Sequence, residues 1–222
     1  MTATPRLDNI VDISHHQDQA IDFVKLKQAG IIAVIHKATQ GNHFKDKPYP
    51  KRRQDAEKAG LLWGAYHFAE NQADSGNGAA QAKYFLDYVG DPEGVFISLD
   101  YESYHHTNSP EVSLNMSIAD AEMFVDAVSQ KVGRLPFFYS GNTIRKILGN
   151  KKNAKLGACK LWAAGYVAES RLTIQKSWSD WTFWQYTDGR PHNHPNPIPG
   201  FGSWDRSVFD GTEAELRKIW AS

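Results

Sequence analysis

The chain has 222 residues, with 25 lysines and arginines balancing 25 aspartates and glutamates, and it is 41% hydrophobic and 12% aromatic. That composition excludes a disordered chain and provides no broadly basic surface of the kind that nucleic-acid binding relies on. No apolar run is long enough to span a membrane, and the lone Cys159 excludes an internal disulfide framework or a cysteine-rich zinc site.

In chain order, short apolar runs alternate with longer amphipathic stretches. Strands are predicted at Asn9–Ser14, Ile31–Ala38, Leu61–Phe68, Val95–Glu102, Leu135–Ser140, Lys160–Tyr166 and Thr182–Thr187, with a final short one around Trp204–Phe209. Helical patterns fall at Ile21–Ala29, Tyr49–Ala59, Gly78–Val89, Ser117–Val132 and Thr143–Leu148. The clearest is Ser117–Val132: Ser117 is suited to cap it, Ile118, Ala121, Phe124, Val125 and Val128 recur at helical spacing, and Gly133 stops it. From Lys160 onward the strands follow one another with little helical pattern between them, and the segment Asp188–Gly202 is rich in Pro, Gly, Asn and His.

No repeat or linker appears, so residues 1–222 read as one domain, with residues 1–8 as an N-terminal extension. Runs such as Ile31–Ile35 and Val95–Leu99 are apolar throughout, as in strands covered on both faces, which predicts a parallel sheet. The expected fold is α/β: a single (β/α) barrel of eight parallel strands with reduced helices in its C-terminal third. Its active site is then expected at the carboxyl ends of the strands.

Acidic residues recur at those ends: Asp12 in VDISHHQ, Asp100 and Glu102 in SLDYE, and Asp205 in WDR. Asp100 and Glu102, two residues apart on a strand, share a face with Cα atoms roughly 6.6 Å apart. Two carboxyls in one low-dielectric site resist ionising together, so one is expected to be pushed up and the other down. That split would leave a protonated acid beside an ionised partner, the pair that glycoside hydrolysis uses. Tyr66, Phe68, Tyr101, Tyr139, Trp162 and Tyr186 fall near the same ends and suit a cleft that stacks on sugar faces, with Lys37 and Gln185 as polar contacts.

The pairs His15–His16, His105–His106 and His192/His194 invite a metal reading. The H-x-H sits in a late loop and no H-E-x-x-H occurs, so no metal is expected. Neither a G-x-S-x-G elbow nor a G-x-G-x-x-G or phosphate loop is present, which disfavours a serine hydrolase and any nucleotide cofactor.

Taken together, VDISHHQ, AIDFVKLKQAG, VIHKATQG, GAYHFA, SLDYE, PFFYSG, LWAAGY, FWQYTDG and IPGFGSWDRSVFDG are specific in order and spacing. From about Asn9 to Gly211 the chain resembles glycoside hydrolase family 25, the lysozymes of the Chalaropsis and cellosyl type. The resemblance implies an N-acetylmuramidase on a flattened barrel that has lost its last helices. Its substrate would be the β-1,4 bond from N-acetylmuramic acid to N-acetylglucosamine in peptidoglycan. The family's four acidic positions carry over to Asp12, Asp100, Glu102 and Asp205. Glu102 would be the general acid and base, and Asp100 would assist the substrate's own 2-acetamido group. Inversion with Asp12 or Asp205 as base is the alternative. Gln40 stands where the family often has Glu, and Ser207 where it has Asn.

The expected partner is the peptidoglycan glycan strand, met by a monomer at the bacterial wall, without nucleic acid, membrane insertion or cofactor. The opening MTATPRLDN lacks the apolar core of a secretory leader, which phage-type release or a leader absent from this sequence would explain. A non-catalytic sugar-binding barrel is the other reading, and it would be expected to lack one of the acids. The chitinase-type D-x-x-D-x-D-x-E is absent, because Ser98 stands two residues before Asp100 where that pattern has Asp.

Overall fold

The computed structural model describes residues 5–222 except Asp18, Tyr104, Thr107, Asn108 and Leu114; the side chains of Gln72, Asp74 and residues 105–106 and 109–113, including the His105–His106 pair, lie outside the description. In chain order the strands are β1 (Arg6–Ile13), β2 (Ala33–Gln40), β3 (Phe44–Lys45), β4 (Leu62–Phe68), β5 (Phe96–Asp100), β6 (His105–His106), β7 (Ser109–Ser113), β8 (Phe137–Ser140), β9 (Leu161–Ala164), β10 (Phe183–Thr187) and β11 (Asp205–Asp210). Eight of them close a ring in the order β1, β2, β4, β5, β8, β9, β10, β11, with β11 returning to β1. Strand β3 hooks antiparallel onto the end of β2, and β6 and β7 form a separate hairpin.

All eight predicted strands are present, but they are not all parallel. Strand β11 runs antiparallel to both β10 and β1. A parallel return needs a crossover down the outside of the barrel. Between β10 and β11 the described chain instead makes turns, pinned by an Ile198–Gly202 bridge, and contains no helix. It therefore re-enters the sheet from the end it left. Strand β1 also starts earlier than predicted: Arg6 pairs opposite Asp210 and its guanidinium meets both Asp210 and Glu169, so residues 6–8 of the predicted extension belong to the barrel.

Strand alternation sorts the apolar side chains into two layers. Ile10, Ile35, Phe96, Phe137, Trp162, Phe183 and Phe209 point inward and fill the barrel, while neighbours such as Val11, Val34, Ile97, Leu99 and Phe138 pack outward under the helices. The outer layer is covered by α1 (Phe23–Gln28), α2 (Tyr49–Lys58), α3 (Gln72–Ser75), α4 (Gly78–Val89), α5 (Ile118–Val132), α6 (Asn142–Leu148) and α7 (Ala154–Ala158). Helix α5 starts and stops as its sequence predicts: the Ser117 side chain accepts from the Asp120 amide, and Gly133 ends it in the left-handed region at φ 78°. Gly78 lets α4 abut α5, since a Cβ there would lie 1.7 Å from the Asp120 carbonyl oxygen.

Only a short 3-10 turn, Glu169–Arg171, lies between β9 and β10, in keeping with the expected loss of late helices. One late helix was not expected. After β11, α8 (Glu213–Trp220) opens with a Thr212–Glu215 capping box and closes the barrel floor. Its Trp220 ring lies 4.8 Å from Phe96 and its indole N–H donates to the Trp63 carbonyl.

Candidate active site

The inward positions change character toward one rim. Along β1 the inward side chains run from Ile10 to Asp12, along β5 from Phe96 to Asp100, along β8 from Phe137 to Tyr139, and along β10 from Phe183 to Gln185. Because β11 runs the other way, its first residue, Asp205, reaches the rim that the other strands reach with their last. Glu102 lies two residues beyond β5 and keeps the parity of Asp100. The result is a pocket of about 210 Å³ lined by Asp12, Lys37, Tyr66, Phe68, Asp100, Glu102, Tyr139, Trp162, Gln185 and Asp205.

Two predicted contacts are not in it. Tyr101 has the opposite parity to its neighbours: it is buried in the outer layer, stacked on Phe138, with its hydroxyl donating to the Met116 carbonyl at 2.6 Å. Tyr186 likewise faces outward, against Trp184, and its hydroxyl accepts from Asn196. Conversely Ser14, His16 and Tyr166 line the pocket without having been predicted. Tyr166 was accessible by counting, since it continues the inward parity of Trp162 and Ala164.

Asp12 and Asp205 sit directly opposite each other in the β1–β11 register. Side chains so placed are about 5 Å apart at Cβ, and like charges there repel. Burial first, and the facing Asp205 second, hold Asp12 well above the ordinary carboxyl range. Burial likewise pushes Asp205 up to about 6, although its contact with Asp12 pulls the other way. Gln185 stabilises this pair: its amide donates to both Asp12 oxygens at 2.9 Å, while its carbonyl accepts from the hydroxyls of Tyr139 and Tyr166, both at 2.8 Å. Its two amide ends are thus fixed in one orientation.

The expected split between Asp100 and Glu102 does not take the form predicted. Both are raised, because burial outweighs every favourable contact. Asp100 is raised by burial and then by Glu102. Glu102, nearer the opening, is raised by burial and then by Asp205. Lys37 pulls both back toward ionisation. It is itself buried, its ammonium 4.7 Å from the Phe68 ring centre and donating to Gln40, whose amide donates to buried Glu70 at 2.6 Å. Oδ1 of Asp100 is buried with no hydrogen-bond partner among the described residues. Such an orphaned acceptor costs roughly 1–3 kcal/mol unless something arrives to fill it.

Among the described residues, no three histidine, cysteine or acidic side chains are grouped to hold a metal. His15 instead bonds the buried Asp46 through Nδ1 at 2.9 Å.

A closed α/β barrel whose mouth gathers four carboxyl groups, a lysine and aromatic rings has the site of a glycoside hydrolase. Residues 11–193 match the model of glycosyl hydrolases family 25, and the chain belongs to that family. It is 29% identical to lysozyme M1 of Streptomyces globisporus over 93% of this chain and 69% of that protein. It is 28% identical to an N,O-diacetylmuramidase of Arthroderma benhamiae over 94% of this chain and 84% of that one. Among solved structures it is similar to a family GH25 lysozyme from Aspergillus fumigatus (TM-score 0.79, 30% identity, 98% of this chain and 100% of that one). It is also similar to a bacterial lysozyme from Streptomyces coelicolor (TM-score 0.80, 25% identity, 100% and 99%). The protein is thus a glycosidase of the family that contains these lysozymes and muramidases.

Proposed function

We propose that this protein is an N-acetylmuramidase that hydrolyses the β-1,4 bond from N-acetylmuramic acid to N-acetylglucosamine in peptidoglycan at the bacterial cell wall. The observation that supports it most directly is the Asp100–Glu102 pair beneath one opening, where a carboxyl can accept the acetamido N–H of an N-acetyl sugar.

In this reading Glu102, held protonated by burial and by Asp205, gives its proton to the glycosidic oxygen as the C1–O bond breaks. The substrate's acetamido oxygen attacks C1, and Asp100 accepts the acetamido N–H and balances the positive charge that develops. Lys37 favours ionisation of both acids; the incoming acetamido N–H favours ionised Asp100 alone, and on that ground the reading assigns the proton of the pair to Glu102 once substrate is bound. Glu102, now ionised, takes a proton from water. The water oxygen attacks C1, the acetamido group is restored, and the anomeric configuration is retained. Asp12 is a poor base for inversion: both its oxygens are occupied by Gln185 and it faces Asp205 across the strand pair. Tyr66 and Phe68 supply ring faces for the sugar, and Trp162 lies buried beneath them with its indole N–H donating to Ser207.

Muropeptide mass spectrometry after digestion tests the bond. New reducing ends on muramic acid support the reading, and ends on glucosamine overturn it. Glu102→Gln is expected to lower wall clearing by about 10²–10⁴-fold with the melting temperature retained. Clearing at the wild-type rate would exclude Glu102 as the acid.

A further inference from the structure

We propose that a second groove, adjoining the acid-lined pocket, binds the anionic stem peptide that branches from muramic acid. This rests on the reading of the substrate as peptidoglycan. The groove has a volume of about 690 Å³ against about 210 Å³ for the pocket. The smaller volume lies below the common range for ligand sites, about 300–1,000 Å³. A polymer must therefore make much of its contact outside it.

The two spaces adjoin. His15, on the groove wall, lies between Ser14 and His16, which line the pocket. The Phe44 ring, on the groove floor, is 5.4 Å from the ammonium of Lys37, which projects into the pocket. The walls are also held in place. Asp46, fully buried, takes both the backbone N–H and Nδ1 of His15, and the Tyr88 hydroxyl donates to the Asp46 carbonyl at 2.9 Å.

Charge selects the occupant. The groove's two histidines lie against buried acids, His15 on Asp46 and His43 3.6 Å from Glu70, while its lining has no carboxylate and includes Lys45 and Lys47. In a chain with no net charge this is a local positive field. Nearby Lys51 and Lys83 are satisfied by Asp55 and Asp87 one helical turn on, whereas neither Lys45 nor Lys47 has an ion-pair partner among the described residues. A neutral sugar would need open ring faces to stack on. Here the Lys45 ammonium lies 5.1 Å from the Tyr84 ring centre and 5.2 Å from that of Tyr88. An ammonium held over aromatic rings and facing an acid-free groove suits carboxylates, and the remaining apolar surface suits alanine methyl groups. A stem peptide built of alanine, γ-linked glutamate and a diamino acid has both.

The test titrates the full chain with N-acetylated Ala-γ-Glu-diaminopimelate-Ala, followed calorimetrically. Binding is expected, weakening between about 0.05 and about 0.5 M NaCl as the charges are screened. It is expected to fall at least about tenfold in the Lys45→Gln/Lys47→Gln double variant. Both lysines are exposed, and an unchanged melting temperature checks the fold. In parallel, the rate on intact glycan is divided by the rate on glycan stripped of peptide by an amidase. The ratio is expected to exceed one in the wild type and to fall in the double variant. Absence of peptide binding by the wild type, equal binding by the variant, or a ratio that does not change overturns the proposal. Peptide binding without cleavage of either glycan would instead sink the muramidase reading and leave the groove assignment standing.

Discussion

Replacing Asp205 with asparagine should make the protein more stable above neutral pH while making it a worse enzyme. In the folded state Asp205 titrates at about 6 against an ordinary 3.8, chiefly because it is buried. A carboxyl raised by folding costs nothing below pH 3.8, where it is protonated in both states. The cost grows as pH rises, and is complete above 6, where folding must bury the charge. A difference of 2.2 (6 minus 3.8) at 1.36 kcal/mol each amounts to about 3 kcal/mol. The asparagine would also relieve Asp12, which faces this position in register, so the benefit extends to the pair. For a chain of this size about 3 kcal/mol corresponds to roughly 6–12 °C in Tm. Urea unfolding of both proteins at pH 3.5 and pH 8 measures it. Near-equal stability at pH 3.5 with a clear advantage for Asp205→Asn at pH 8 is expected. A variant no more stable at pH 8 than the wild type would refute the claim that the rim acids oppose folding.

Other substitutions probe the neighbouring contacts. Gln185→Leu removes the partner of Asp12 and of two tyrosine hydroxyls, and should cost about 1–3 kcal/mol in denaturant unfolding while lowering kcat/KM at least about tenfold. Tyr101→Phe leaves the Met116 carbonyl unpaired and should lower stability by about 1 kcal/mol with no change in KM, since the side chain faces away from the pocket. Trp220→Ala empties the barrel floor and should cost about 3–5 kcal/mol, read as a Tm lowered by roughly 6–20 °C.

The eight strands and the main helices were legible because each repeats an apolar pattern at its own period, and α5 bears both its cap and its stop in the sequence. Asp12, Asp100 and Glu102 were legible because they stand where an apolar run ends, whereas Asp205 stands before one. Two things were not. The direction of β11 depends on where segment 188–204 leaves its ends, which no local pattern encodes, yet that direction makes Asp205 a rim residue at the start of its strand. The parity of Tyr101 and Tyr186 was recoverable in principle, since each stands one position from an inward residue, Asp100 and Gln185. Nearness to the rim in sequence hid the fact that they face the helices. The electrostatics misled for a related reason: two acids considered alone divide a proton, but four acids in a buried ring with one lysine all rise together. The capping box before α8 was present in the sequence as Thr212 and Glu215 and went unread.

The reversed last strand also decides how the molecule can be joined to others. Strand β11 descends from mouth to floor beside the start of β1, so Arg6 and Asp210 meet there and α8 follows beneath. Both ends of the ring therefore emerge on the side away from the acids. A dye, an affinity handle or a wall-anchoring module grafted at either end would leave the opening clear. Bridging the two ends and cutting a loop elsewhere would give a permuted chain with the same ring.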